Sequence, residues 1–132
     1  MIRLTCAAAA ALLWWLPSAA AQNAPMSAGP APAAAIEELV LANRILNDRG
    51  VLDAYGHVSI RHPANPSRYL MARAIAPGLV TAEDIMEFDL DSNPVDRRGR
   101  SMFVECFIHG EVYKVRPDVN AAIHTQIGRA HV

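Results

Sequence analysis

A helix that ends at a proline and is followed at once by a short strand constrains this 132-residue chain more than any other feature. The unit spans residues 105–126, and the apolar residues around its first half recur at mostly helical spacing; these are Phe103, Phe107, Val112 and Val115. The helix must end before Pro117, because the residue before a proline is driven out of the α region. Residues 119–124 then alternate roughly as a buried strand does and end at His124.

Two side chains of this unit have the chemistry of a metal-dependent catalytic site. Glu105 lies in the helical part, and His124 lies where the strand ends. An imidazole is a common zinc ligand, and a carboxylate beside a metal can transfer protons. His109 follows Glu105 by four residues and shares its helix face. His109 is either a second metal ligand or a residue that packs and forms hydrogen bonds, and we favour the second interpretation.

The residues before this unit predict a second helix and three further strands. The helix would bury one apolar stripe, formed by Ile36, Leu39, Val40, Ile45 and Leu46. The strands are expected at residues 57–61, 69–72 and 86–90. This order predicts an antiparallel sheet with helices packed against it, an α/β sandwich.

Three short motifs occur in order along residues 36–125. They are G-H-V-S-I-R at 56–61, T-A-E-D-I at 81–85, and E-x-x-x-H with R-P-D and H-T at 105–125. In this order and spacing they resemble the class II aldolase/adducin family. The resemblance implies a three-layer α/β/α sandwich around a mainly antiparallel sheet, truncated in this sequence. Residues 36–126 would form its N-terminal part.

The same resemblance implies the roles of the metal-site residues. His124 would be a metal ligand, Glu105 the catalytic acid/base, and the position of Gln126 a ligand histidine in the intact protein. The ligand types suit a divalent metal, with zinc expected and manganese not excluded. In this family the ion acts as a Lewis acid and stabilises the enolate formed when a carbon–carbon bond breaks.

His57 and Ser59 occupy the segment in which family members contact substrate, so the resemblance predicts that they bind substrate. Arg73 can hold a carboxylate in bidentate fashion or can be a surface arginine. The phosphate-binding residues of the sugar-phosphate aldolases are not matched, because one of their positions is occupied by Phe103 and a dianion needs donors. The predicted substrate is therefore a non-phosphorylated hydroxy-carbonyl or oxo-acid compound, cleaved by retro-aldol reaction or decarboxylation.

Two other functions stay open on the same fold. One is a non-catalytic adducin-like binding or structural protein, but the presence of Glu105 with His124 argues against it. An epimerase or dehydratase would need sugar-phosphate contacts that the sequence does not contain. The resemblance implies a homo-oligomer, often a tetramer, acting on a small molecule. The net charge of −1 and the scattered arginines do not suggest a nucleic-acid partner.

The N-terminal residues predict export from a bacterial cytoplasm. Residues 1–21 combine a basic start, an apolar run and a small-residue cleavage site, as a secretory signal peptide does. The mature protein would be periplasmic or secreted and would have no membrane segment. Cys106 would then be its only cysteine, so no internal disulfide is expected.

Two further segments are expected to lie outside the domain. Residues 22–35 are rich in Pro, Ala and Gly and predict a flexible linker. Residues 127–132, IGRAHV, are encoded by ATC GGA AGA GCA CAC GTC, which is part of a common sequencing-library adapter. We therefore expect a non-native tail after Gln126, and His131 receives no functional role.

Overall fold

The computed structural model describes residues 24–125, which form two α-helices and four β-strands in the predicted order. The elements are α1 (Ala33–Asp48), β1 (His57–Arg61), β2 (Arg68–Ala72), β3 (Ile85–Asp89), α2 (Cys106–Val115) and β4 (Ala121–His124). No helix within these residues is long and apolar enough to cross a membrane. The predicted signal peptide (1–21), Gln126 and the predicted tail (127–132) lie outside the described residues and stay predictions.

The four strands form one sheet in the order β3-β2-β1-β4, and every neighbouring pair is antiparallel. β1 and β2 form a hairpin, and the chain returns after α2 to add β4 on the other side of β1. In this pairing His57 lies directly opposite His124. Two histidines 67 positions apart in sequence are thereby neighbours across two strands.

The helices cover opposite faces of the sheet, because side chains alternate between its faces along each strand. The α1 face is closed by a buried apolar cluster of Leu39, Leu52, Val58 and Leu70. The α2 face is closed by a larger cluster of Tyr69, Met71, Met86, Phe88, Phe103, Cys106 and Tyr113. The predicted three-layer α/β/α sandwich is confirmed.

Within both helices the buried face differs from the apolar stripe expected from sequence. In α1, Ile45 is 54% exposed, whereas Asn43 is fully buried and its side-chain amide donates to the Leu39 carbonyl. In α2, Phe107 is 56% exposed and Val115 is 71% exposed. Hydrophobic spacing cannot identify a buried polar residue whose amide nitrogen donates to a carbonyl of its own helix.

The face of α2 that packs on the sheet side consists of Cys106, His109, Gly110 and Tyr113. Gly110 permits this packing, because a Cβ atom there would lie 2.5 Å from the Leu90 carbonyl oxygen. The small residue brings the helix backbone close to the turn after β3. The larger apolar side chains of α2 therefore point away from the sheet.

The predicted flexible linker at residues 22–35 requires correction over its described part. The Ser27 hydroxyl and the Ala28 N–H donate to the Glu87 carboxylate at 2.6 and 2.7 Å, and the Arg68 guanidinium donates to the Met26 carbonyl at 2.9 Å. The segment thus lies along the β3 edge of the sheet, and α1 already begins at Ala33. Composition alone could not reveal these bonds, because they depend on side chains about 60 residues away in sequence.

Two leucines of α1 provide a matched test of this packing. Leu39 is 1% exposed and Leu41 is 55% exposed. We expect Leu39→Ala to lower the free energy of unfolding by about 2–5 kcal/mol, because it leaves a cavity in the α1 cluster. Leu41→Ala should change it by less than about 0.5 kcal/mol. Urea denaturation of the intact protein measures both, and equal losses would contradict the orientation of α1.

Candidate active site

Three histidines from β1, α2 and β4 meet on the α2 side of the sheet. The His57 ring lies between the rings of Phe103 and His124. The His57 and Phe103 centroids are 4.4 Å apart with the planes at 15°, and the His57 and His124 centroids are 5.0 Å apart with the planes at 27°. The His109 ring lies 4.9 Å from the His57 ring, tilted by 38°. The β1–β4 register and the approach of α2 together build this cluster.

His57 is 1% exposed and is held by the backbone. Its Nδ1 lies 3.0 Å from the Tyr55 carbonyl oxygen, which can only accept, so Nδ1 carries the proton of the neutral ring. Its Nε2 is buried and has no hydrogen-bond partner among the described residues. Burial lowers the pKa of His57, against the opposing effect of the Tyr55 bond, while His124 lowers it further and Glu105 raises it.

His109 ends a buried chain of hydrogen bonds. The Ser59 hydroxyl lies 2.6 Å from His109 Nδ1 and 2.7 Å from the Tyr113 hydroxyl. Burial, together with the nearby His57 and His124, lowers the pKa of His109 from 6.5 to about 3. The ring is therefore neutral near pH 7, and the interpretation of His109 as a residue that packs and forms hydrogen bonds agrees with this placement.

The roles of Ser59 and His57 as substrate contacts stay predictions, and both side chains are buried within the described residues. Both side chains face α2 from the middle layer, and Ser59 is completely buried with its hydroxyl engaged at both partners. Neither offers a polar group on the surface of the described residues. They belong to β1, which coincides with the strand expected at residues 57–61, but five residues of alternation do not indicate which strand face a helix will cover.

Arg73 lies just after β2 and binds a carboxylate of the protein itself. Its Nε donates to Asp84 at 2.6 Å, and Asp84 also accepts from the backbone N–H and hydroxyl of Thr81 at 2.9 and 2.8 Å. Burial opposes ionisation of Asp84, but the bonds from Arg73 and Thr81 outweigh it and hold the pKa of Asp84 below 3.8. Arg73 is therefore engaged in a local ion pair through its Nε, and its role as a substrate contact stays a prediction.

A cleft of about 380 Å³ opens beside Glu105 and the Phe103 side of the histidine stack. Its other lining residues are Ala54, Tyr55, Ala74, Ile75, Ala76, Met102 and Val104. The lining is apolar apart from the Glu105 carboxylate and the Tyr55 hydroxyl. A larger cavity of about 620 Å³ lies on the α1 side and shares no residue with the histidine cluster.

The donors at this site fit a divalent metal in part. His124 is half-buried where β4 ends, and Glu105 is half-buried at the residue before α2. A histidine and a carboxylate suit zinc, and the contact with His57 restricts rotation of the His124 ring. Within residues 24–125, no group of three or more His, Cys, Asp or Glu residues is arranged to hold an ion. The predicted ligand position 126 lies outside this range.

Comparison with known proteins gives a consistent set of relatives. Residues 37–130 match the family described as Class II Aldolase and Adducin N-terminal domain. Decarboxylase tropJ of Talaromyces stipitatus is 39% identical over 83 residues, covering 61% of this chain and 31% of that protein. The 3,4-dihydroxyphthalate decarboxylase of Arthrobacter keyseri is 36% identical over 102 residues, covering 70% and 40%.

A solved structure agrees with the fold. L-fuculose 1-phosphate aldolase from Glaciozyma antarctica superposes with a TM-score of 0.60 at 25% identity, covering 74% of this chain and 45% of that chain. The present chain spans less than half the length of each of these three proteins.

The depressed pKa of His109 predicts a specific pH dependence in the metal-free protein. The folded pKa lies below the unfolded value, so the stability due to the neutral ring is complete above pH 6.5 and is lost as pH falls toward 3. We expect the His109 ring resonances to show no titration between pH 7 and about pH 5 by NMR. In urea the same ring should titrate near 6.5. A midpoint near 6.5 in the folded protein would contradict the buried placement.

Proposed function

The chain belongs to the class II aldolase and adducin family, and from this premise we propose that the intact protein is a metal-dependent carbon–carbon lyase. Its substrate would be a non-phosphorylated hydroxy-carbonyl or oxo-acid compound, with decarboxylation as the preferred reaction. The observation that carries the proposal is the position of Glu105 in an apolar cleft that is also lined by Phe103, whose ring stacks on His57, which in turn stacks on His124. The two curated relatives named above are decarboxylases, which supports this choice of reaction.

His124 and Glu105 would hold or adjoin a divalent ion, zinc by preference, which would supply Lewis-acid stabilisation of negative charge on substrate oxygens. In decarboxylation the carbon–carbon bond breaks, carbon dioxide leaves, and the electron pair stays on the substrate as an enolate. Glu105 would then return a proton to that carbon and regain one from water. The apolar cleft would favour decarboxylation, because a carboxylate without donors is costly there and its charge passes to the enolate oxygen as carbon dioxide leaves.

The same lining supports a substrate without phosphate. Phe103, Val104 and their apolar neighbours offer few side-chain donors, and a phosphate dianion needs several. Tyr55 is the lining residue other than Glu105 with a polar side-chain group. An aromatic or aliphatic acid with an adjacent hydroxyl or carbonyl group suits such a surface better than a sugar phosphate.

Retro-aldol cleavage is the second candidate, favoured by the structural likeness to an L-fuculose 1-phosphate aldolase. It passes through the same kind of enolate but releases an aldehyde instead of carbon dioxide. A non-catalytic adducin-like protein is the third, and it would convert no substrate even with metal supplied. Product analysis therefore separates all three.

We also propose an oligomeric state and a localisation for the protein. The family fold favours a homo-oligomer, for which a tetramer is the proposed state. The N-terminal sequence supports export through a signal peptide to the periplasm or the medium. Light scattering and fractionation of the expressing bacterium test these two proposals independently of activity.

The reaction is tested by incubating the intact, zinc-loaded protein with a hydroxylated aromatic acid, a hydroxy oxo-acid and a sugar phosphate. We expect carbon dioxide from one of the non-phosphorylated acids, loss of activity with a chelator, and recovery when zinc or manganese is restored. Conversion of the sugar phosphate alone would contradict the proposed substrate class. Unchanged activity after complete metal removal would contradict the proposed metal dependence.

Two glutamates of the helix region allow a matched test of proton transfer. Glu105→Gln should lower kcat by about 10²–10⁴-fold, because the amide cannot carry the proton. Glu111→Gln, at an exposed residue paired with Lys114, should leave kcat within about twofold, because it changes only a surface ion pair. Equal effects of the two substitutions on steady-state kinetics would remove Glu105 from the proposed mechanism.

A further inference from the structure

We propose that His57 is a positioning residue that holds the His124 imidazole in place by ring stacking, with Phe103 as the support on its other side. The inference rests on the proposed function in one respect, the assignment of His124 as a metal ligand. It replaces the expectation that His57 contacts substrate. In this proposal His57 does not itself bind the metal.

The stack itself is the first observation. Phe103, His57 and His124 follow one another with centroid separations of 4.4 and 5.0 Å and interplanar angles of 15° and 27°. Offset stacking at such distances is favourable and fixes the orientation of both outer rings relative to the central one. His124 is half-buried at the end of an edge strand, where its neighbour in the stack restricts its rotation.

The central ring is itself fixed from two sides. The Tyr55 carbonyl accepts from His57 Nδ1, and the buried His109 ring packs against His57 at 4.9 Å. His109 is in turn held by Ser59, which also binds Tyr113. The orientation of His57 is thus set by the protein interior, and a ligand is not needed to set it.

The backbone allows this close approach at Gly56. A Cβ atom there would lie 3.2 Å from the His124 carbonyl oxygen and 2.8 Å from a Leu52 methyl carbon. Any side chain at this position would push on the end of β4. Gly56 therefore permits the register in which His57 and His124 face each other.

Two substitutions of His57 separate stacking from direct ligation. His57→Phe keeps an aromatic ring and loses both nitrogens, whereas His57→Ala loses the ring. His62→Ala is the matched control, because His62 is also a buried histidine, 2% exposed, but lines the cavity on the α1 side. Each variant of the intact protein is tested for the zinc dissociation constant by competition with a chelating dye. The second measurement is the ring-proton chemical shifts of His124 in the metal-free state.

Positioning predicts that His57→Ala weakens zinc binding by roughly 10–100-fold, as loss of a supporting residue does at other metal sites. His57→Phe should stay within about threefold of the parent, and so should His62→Ala. In the metal-free protein, His124 should show upfield ring-current shifts that persist in His57→Phe and vanish in His57→Ala. Loss of zinc binding in His57→Phe equal to that in His57→Ala would show that His57 is a ligand and would overturn the inference.

The chemical shifts keep this test separate from the proposed function. If the parent protein binds no zinc but the His124 shifts follow the predicted pattern, the stack stands and the metal assignment fails. If His124 has random-coil shifts in the parent protein, the stack is absent and the positioning role is wrong, whatever the activity.

Discussion

The antiparallel pairing of β1 with β4 is the constraint on which the rest of the candidate site depends. It places His57 opposite His124 and joins the last described strand to the centre of the sheet rather than to β3. A slip of one residue would turn His124 to the other face, because side chains alternate along a strand. The same register brings the chain after α2 beside Gly56, so the pairing links α2, which begins directly after Glu105, to the histidine cluster.

The core on the α2 side contains apolar residues and also a series of buried polar side chains joined by hydrogen bonds. Ser59 bonds both His109 Nδ1 and the Tyr113 hydroxyl. Arg61 lies 4.7 Å from the Tyr113 ring and donates to four backbone carbonyls. Buried polar groups are tolerated when they are hydrogen-bonded, and they favour one arrangement of the core over others. The polar chain therefore supports the geometry of the site as well as the fold.

Much of the fold can be predicted from the sequence, because the local signals for helix ends and strands agree with the structure. Pro117 ended the second helix, and alternation located β1 and β3 within a residue or two. The buried faces of the helices could not be predicted from the sequence. Asn43 faces inward and bonds the Leu39 carbonyl, and Gly110 faces inward beside the Leu90 carbonyl. The placement of Ser59 likewise depended on Tyr113, 54 positions away. Glu105 and His124 were selected by family resemblance, and spacing alone would not have joined them.

The central claim is that a divalent ion binds at His124 beside Glu105. Anomalous X-ray diffraction at the zinc absorption edge, on crystals of the intact protein grown with zinc, tests it most directly. The account predicts an anomalous peak at about 2.0–2.1 Å from a nitrogen of the His124 ring, on the side of Glu105. A fully occupied zinc elsewhere, with His124 uncoordinated and still stacked on His57, would contradict the claim.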